Sequence, residues 1–140
     1  MSKSSANPRR YSKGKASLDP NEILYVYIEI RLEKEDLKDI DARLRYLASR
    51  RPQAVLDVAG VRREANKYIL TLSLNMGTMR SALRGSSVQE QVGYDLIWDL
   101  FEQLPEFGPV FAAPPAMSDI ANARSMGFSL SGNNDEIEVK

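Results

Sequence analysis

The chain has 140 residues, nineteen basic and nineteen acidic, and contains neither histidine nor cysteine. Without imidazole it lacks the side chain that titrates near neutral pH, and without thiol it has no cysteine nucleophile, thiolate zinc site, iron-sulfur cluster or disulfide. One domain is the expectation at this length, and 43% hydrophobic with 27% charged residues is ordinary for a globular chain.

The charge is unevenly placed. Residues 1–20 carry Lys3, Arg9, Arg10, Lys13 and Lys15 against Asp19, a net of +4, so the remainder carries −4. With only scattered apolar residues this segment cannot offset its ordering entropy, and it reads as a flexible basic arm. A uniformly basic nucleic-acid binder is excluded, but an arm whose Arg9, Arg10, Lys13 and Lys15 contact phosphates is not. No run approaches the roughly 18 apolar residues of a membrane-spanning helix, and no apolar leader follows the basic residues, so a cytoplasmic location is expected.

The domain proper is read as residues 21–131, followed by a frayed acidic tail at 132–140. Leu24, Val26, Ile28, Ile30 and Leu32 alternate with Tyr25, Tyr27, Glu29 and Arg31, the period of a strand with one face in the core. Leu37, Ile40, Leu44, Leu47 and Ala48 then recur at helical spacing. Glu33, Glu35 and Asp36 in the first turn and Arg50 and Arg51 in the last suit the helix dipole, and Pro52 ends the helix.

Residues 54–61 and 68–74 read as two further strands, joined into an antiparallel hairpin by a polar bend at 62–67. A short helical turn opens at Gly77-Thr78 and breaks at Gly85. Ser87-Val88-Gln89-Glu90 is a capping-box pattern, which starts a second long helix near Val88 that Pro105 stops. A Pro-rich connection follows at 107–115, then a short helix at 117–124 capped by Gly127, with residues 128–130 as the candidate for a further edge strand. The order β-α-β-β-α with a last β predicts an α+β fold of the ferredoxin-like (split βαβ) kind, an antiparallel sheet with helices on one face.

On the second long helix, Gly93, Leu96, Leu100, Leu104, Ile97, Phe101, Tyr94 and Trp98 fill an arc of roughly 200° at about 100° per residue. One sheet cannot cover that arc. Either the aromatic flank, Tyr94, Trp98 and Phe101, meets a partner, or the segment 107–128 folds back over it. Tyr25 and Tyr27 lie on the face of the first strand away from its Leu and Ile residues, where base stacking, sheet-face dimerisation and simple exposure are the three readings. The aromatic, glycine-rich third strand that goes with base stacking is absent.

Arg80, Arg84, Gly85, Ser86 and Ser87 precede a helix start, a weak anion-site pattern without P-loop spacing. Asp95 and Asp99 share one helix stripe and are either a cation site or a solvated face. The expectation is a non-enzymatic protein-protein binding or assembly module, such as an adaptor, an immunity or inhibitor protein, or a structural subunit. It takes no cofactor or metal, keeps off membranes, and uses Tyr94, Trp98, Phe101, Tyr25 and Tyr27 toward a protein partner or a second copy. The alternative is a nucleic-acid-associated protein acting through its basic arm.

Overall fold

A computed structural model of the chain describes residues 19–85 and 87–128. The arm residues Arg9, Arg10, Lys13 and Lys15, the acidic tail, and most of the candidate strand at 128–130 lie outside the described residues.

The fold is α+β: a four-stranded sheet in the order β2-β3-β1-β4, every neighbouring pair antiparallel. The alternation in β1 (Ile23–Leu32) sets the layering. Ile28, Ile30 and Leu32 point to one face, where Leu70, Leu72 and Leu74 of β3 (Lys67–Thr78) and Leu56, Val58 and Val61 of β2 (Leu56–Glu64) join them, all nearly or fully buried. Two helices close over that face. Ile40, Leu44 and Leu47 enter it from α1 (Leu37–Ser49), and Leu96, Leu100 and the following Leu104 from α3 (Val88–Gln103).

The helix starts follow the sequence, whereas α1 ends at Ser49, so that Arg50 and Arg51 lie past its last turn. A 3₁₀ turn, Lys34–Asp36, leads into α1, with the Glu33 amide donating to the Asp36 carboxylate at 3.0 Å. The Thr78 hydroxyl accepts from the Ser81 amide at the start of the one-and-a-half-turn α2 (Met79–Arg84), and the Ser87 hydroxyl accepts from the Glu90 amide at the start of α3.

Both hairpin strands run further than their periodicity predicts. The polar bend expected at 62–67 is mostly strand, leaving a turn of only Ala65 and Asn66, and β2 keeps its apolar residues inward by a bulge between Val58 and Gly60. Ala65 sits at φ 55, a region glycine occupies without cost and alanine does not. Ala65→Gly is therefore expected to be neutral or to raise unfolding free energy by up to about 1 kcal/mol, relief of strain being partly offset by a freer unfolded chain. Ala65→Val should lower it, and a denaturant midpoint that fell with glycine would overturn this account of the turn.

The fourth strand is a correction. It is β4, Val110–Ala112, within the stretch read as a Pro-rich connection. Between Pro109 and Pro114 only these few residues have an uninterrupted set of amides, enough to pair with residues 27–29 of β1 at the sheet edge and too few to show a period.

The helices are not confined to one face either. Side-chain alternation puts Gly60 and its cross-strand partner Thr71 on the face away from α1 and α3, and there a Cβ on Gly60 would lie 2.8 Å from Cβ of Pro115 and 3.1 Å from that of Asp119. Asp119 belongs to α4 (Met117–Ser125), which also donates from Asn122 Nδ2 to the Val61 carbonyl at 3.1 Å. Since Ala112 pairs with Tyr27 on one side of the sheet and Pro115 sits at Gly60 on the other, the segment between them crosses this second face. Thr71 and Ile69 are buried on it. A Schellman motif ends α4: Gly127, at φ 82, donates to Arg124, and Phe128 donates to Ala123 and packs on the core.

Candidate functional site

Gly93, Leu96, Leu100 and Leu104 turn α3 onto the sheet, and Gly93 has Met76 and the Asn75 carbonyl where a Cβ would be, so helix and strand approach closely. Rotation about the helix axis is set from the side. Arg51, at the end of α1, donates to one Asp99 oxygen through Nε at 3.0 Å and Nη2 at 2.8 Å, and lies 3.8 Å from Asp95. The acidic stripe is thus committed to a neighbouring helix. That pairing leaves Phe101 on the side of α3 away from α1, toward the β4 edge, with Tyr94 and then Trp98 farther round, Trp98 about 160° from Leu96 and Leu100 and so facing away from the sheet.

At that edge Phe101 meets Phe111 of β4, ring centroids 5.2 Å apart and planes tilted 37°. Phe101 is partly covered, but Tyr94 is 53% exposed, Trp98 67% and Phe111 64%. Residues 94, 98 and 101 fall within an arc of about 60°, and Phe111 continues the strip onto the sheet edge. Of the segment 107–128, β4 reaches this flank and its Phe111 covers part of Phe101, while the described residues from Pro115 onward lie on the other side of the sheet. Phe107 is buried instead, beside an Arg43 guanidinium 5.3 Å from its ring. Arg43 also donates to the Gln103 carbonyl at 2.7 Å and to Glu106 at 2.8 Å, and holds the Glu106 carboxyl below its usual range.

From sequence, Phe111 and Val110 belong to the apolar segment offered as cover for the flank, not to its contact surface. A signal for them exists: residues 107–118 contain no charged side chain, an unusual run for a surface connection.

Tyr25 and Tyr27 lie together, centroids 6.1 Å apart, on the second face beside Ser73 and Asn75 of β3, with the sheet between them and the aromatic flank. Tyr25 is 46% exposed, whereas burial, and secondarily the neighbouring Tyr25, pushes the Tyr27 hydroxyl up from its ordinary value. Ala112, where the crossing segment begins, is the cross-strand partner of Tyr27. Further along it, Arg62 bridges Glu29 at 3.0 Å, Glu64 at 2.8 Å and Asp119 at 3.8 Å, tying α4 to β1 and β2. Hydrogen bonds to Glu29 and Glu64 hold that guanidinium protonated more firmly than an ordinary arginine, and Arg62 in turn keeps the Glu64 carboxyl low.

The remaining candidates stay apart. Arg80 and Arg84 are exposed on the short α2, Ser86 lies outside the described residues, and the Ser87 hydroxyl is used as the α3 cap. Among the described residues no cluster of acidic, histidine or cysteine side chains could hold a metal ion. No helix among them is long and apolar enough to cross a membrane.

The chain matches no protein-family profile, no curated protein and no solved structure. What the arrangement offers chemically is therefore read from its geometry. Glu29, Glu33, Asp41, Glu64, Asp99 and Glu106 each pair with an arginine or lysine at 2.6–3.1 Å, and most of these pairs tie one element to another. A shallow groove of about 230 Å³ between α1 and the end of α3, lined by Ala42, Arg43, Tyr46, Leu47, Gln103 and Leu104, has one cation, and Arg43 is already engaged.

Proposed function

We propose that the protein is a non-enzymatic protein-protein binding or assembly module whose contact surface is the aromatic flank of α3. The observation that carries this reading is the 67% exposure of Trp98 within a continuous strip of Tyr94, Phe101 and Phe111. Single exposed apolar residues are normal on any surface. Several large aromatics contiguous on one helix flank and the adjoining strand edge are the composition of an interface centre.

The strand order, with β3 between β1 and β2 and with α1 and α3 on one face, supports a ferredoxin-like, split βαβ reading of the domain; α4 is an addition to it. The cysteine-free sequence suits a cytoplasmic setting.

Trp98→Ala in the full-length chain tests the function. Because the ring is mostly solvent-facing, the variant should keep its unfolding free energy within about 1 kcal/mol while losing association, in an interaction that is largely insensitive to added salt. Light scattering and a denaturant midpoint on the same sample check both halves. A loss of about 3–5 kcal/mol with unchanged association would mean that Trp98 is a core residue, and the proposal would fail.

A further inference from the structure

We infer that the partner on this flank is a second copy of the chain, joined edge to edge through β4 so that two sheets form one of eight strands across a two-fold axis. The inference rests on the binding role proposed for the flank and names its occupant.

Three observations point to a copy of the chain itself. First, β4 ends the strand order, so among the described residues its outer edge has no strand beside it. Edge strands are guarded by charges, prolines or shortness; Pro109 and Pro114 limit β4 to three residues, but no charge guards it, since it sits in the charge-free stretch 107–118. Val110, 52% exposed on the second face, and Phe111, 64% exposed on the helix face, make both sides of the edge apolar.

Second, the geometry is self-complementary. Antiparallel pairing of β4 with its own copy, centred on Phe111, places the axis perpendicular to the sheet. Such a rotation keeps faces on their own side. Both α3 helices then stand above the joint sheet with Phe101 and Tyr94 turned toward each other, and with Trp98, some 160° round the helix from the buried Leu96 and Leu100, at the upper rim of the cleft between them. A strand from an unrelated protein could satisfy the edge, but nothing about it would also supply a matching aromatic flank.

Third, the area is sufficient. Trp98, Tyr94 and Phe111 are each more than half exposed, and at about 150–250 Å² per aromatic side chain they offer roughly 400 Å² of apolar surface per protomer. Full burial of these rings on both protomers comes to about 800 Å², an upper bound that matches the apolar share of a homodimer interface of about 1,200 Å², the lower end of stable complexes.

The test uses the full-length chain and its single tryptophan, which is Trp98. Light scattering should give twice the monomer mass, and dilution should red-shift Trp98 emission and increase its quenching by acrylamide as the dimer parts. Phe111→Lys places a charge directly opposite its own copy at the axis and should weaken dimerisation about 100-fold or more; Val110→Lys, which faces Ala112 of the copy with its own copy on the diagonal, and Trp98→Ala should act in the same direction. Val110→Lys leaves the Phe101–Phe111 contact in place, so it remains decisive should Phe111→Lys disturb folding; circular dichroism and a denaturant midpoint check this. A native chain that is monomeric at high micromolar concentration overturns the pairing while leaving the flank free to bind another protein. A dimer lost in Trp98→Ala but kept in both lysine variants overturns the edge pairing and upholds the flank. A dimer indifferent to all three changes overturns both.

Discussion

Ile28→Asp is expected to leave no cooperatively folded protein. Ile28 is fully buried at the middle of β1, opposite Leu72 on one side and Phe111 on the other, under the layer of α1 and α3. Removing an isoleucine side chain from such a site costs about 2–5 kcal/mol by itself. An ionised carboxylate there, without a cation in reach, costs several more, and protonation would only exchange that cost for an uncompensated buried acid. The total is comparable to the roughly 5–15 kcal/mol that holds a domain together. Far-UV circular dichroism and a urea titration should show a chain without a sigmoidal transition.

Glu29→Gln, the next residue, is the control. Glu29 lies on the other face and accepts from Arg62 at 3.0 Å; a glutamine keeps an acceptor there, and Glu64 and Asp119 still flank the guanidinium. Its cost should stay within about 1 kcal/mol. Equal damage from both substitutions would mean that the strand faces are assigned in the wrong register.

The contrast between these neighbours shows what kind of information was readable in advance. Strong periods survive translation into structure: the alternation of residues 24–32, the helical spacing of Leu37, Ile40, Leu44 and Leu47, and the caps at Ser87 and Gly127 all appear where they were read. Local chemistry determines each of them. β4 escaped because three residues cannot display a period, and its strand character comes from the open side of β1 rather than from Val-Phe-Ala itself. The wide apolar arc of α3 was legible, but not which part stays exposed. That depends on Arg51 reaching Asp99 across 48 residues of sequence, a pairing no local pattern encodes. The same holds for the segment 107–128, for which cover of α3 was one of two readings: Phe111 packs on Phe101, and the chain from Pro115 onward lies on the opposite face of the sheet.

That route makes Gly60→Val the second large expected effect. Gly60 is buried, and its missing side chain is the space in which Pro115 and Asp119 rest. The first added carbon would stand 2.8 Å from the Pro115 Cβ, a ring atom that cannot swing aside, so either the strand or the crossing segment must move. Overpacking of this kind costs about 1–3 kcal/mol when the surroundings yield, and more when they do not. Here the weaker partner is the segment, held to the sheet mainly by Asn122 on the Val61 carbonyl, by Arg62 on Asp119 and by Phe128 on the core. The valine variant should therefore keep the sheet with α1 and α3 while α4 comes away. Amide exchange should speed up over residues 116–128 and at Thr71 beneath them, and a protease should gain a site between 112 and 119. Gly60→Ala should show the same pattern more weakly, and should cost less in a Pro115→Gly background, because that change deletes the clashing atom. Full protection of α4 in Gly60→Val, or an alanine cost independent of residue 115, would show that the crossing segment is not seated on β2.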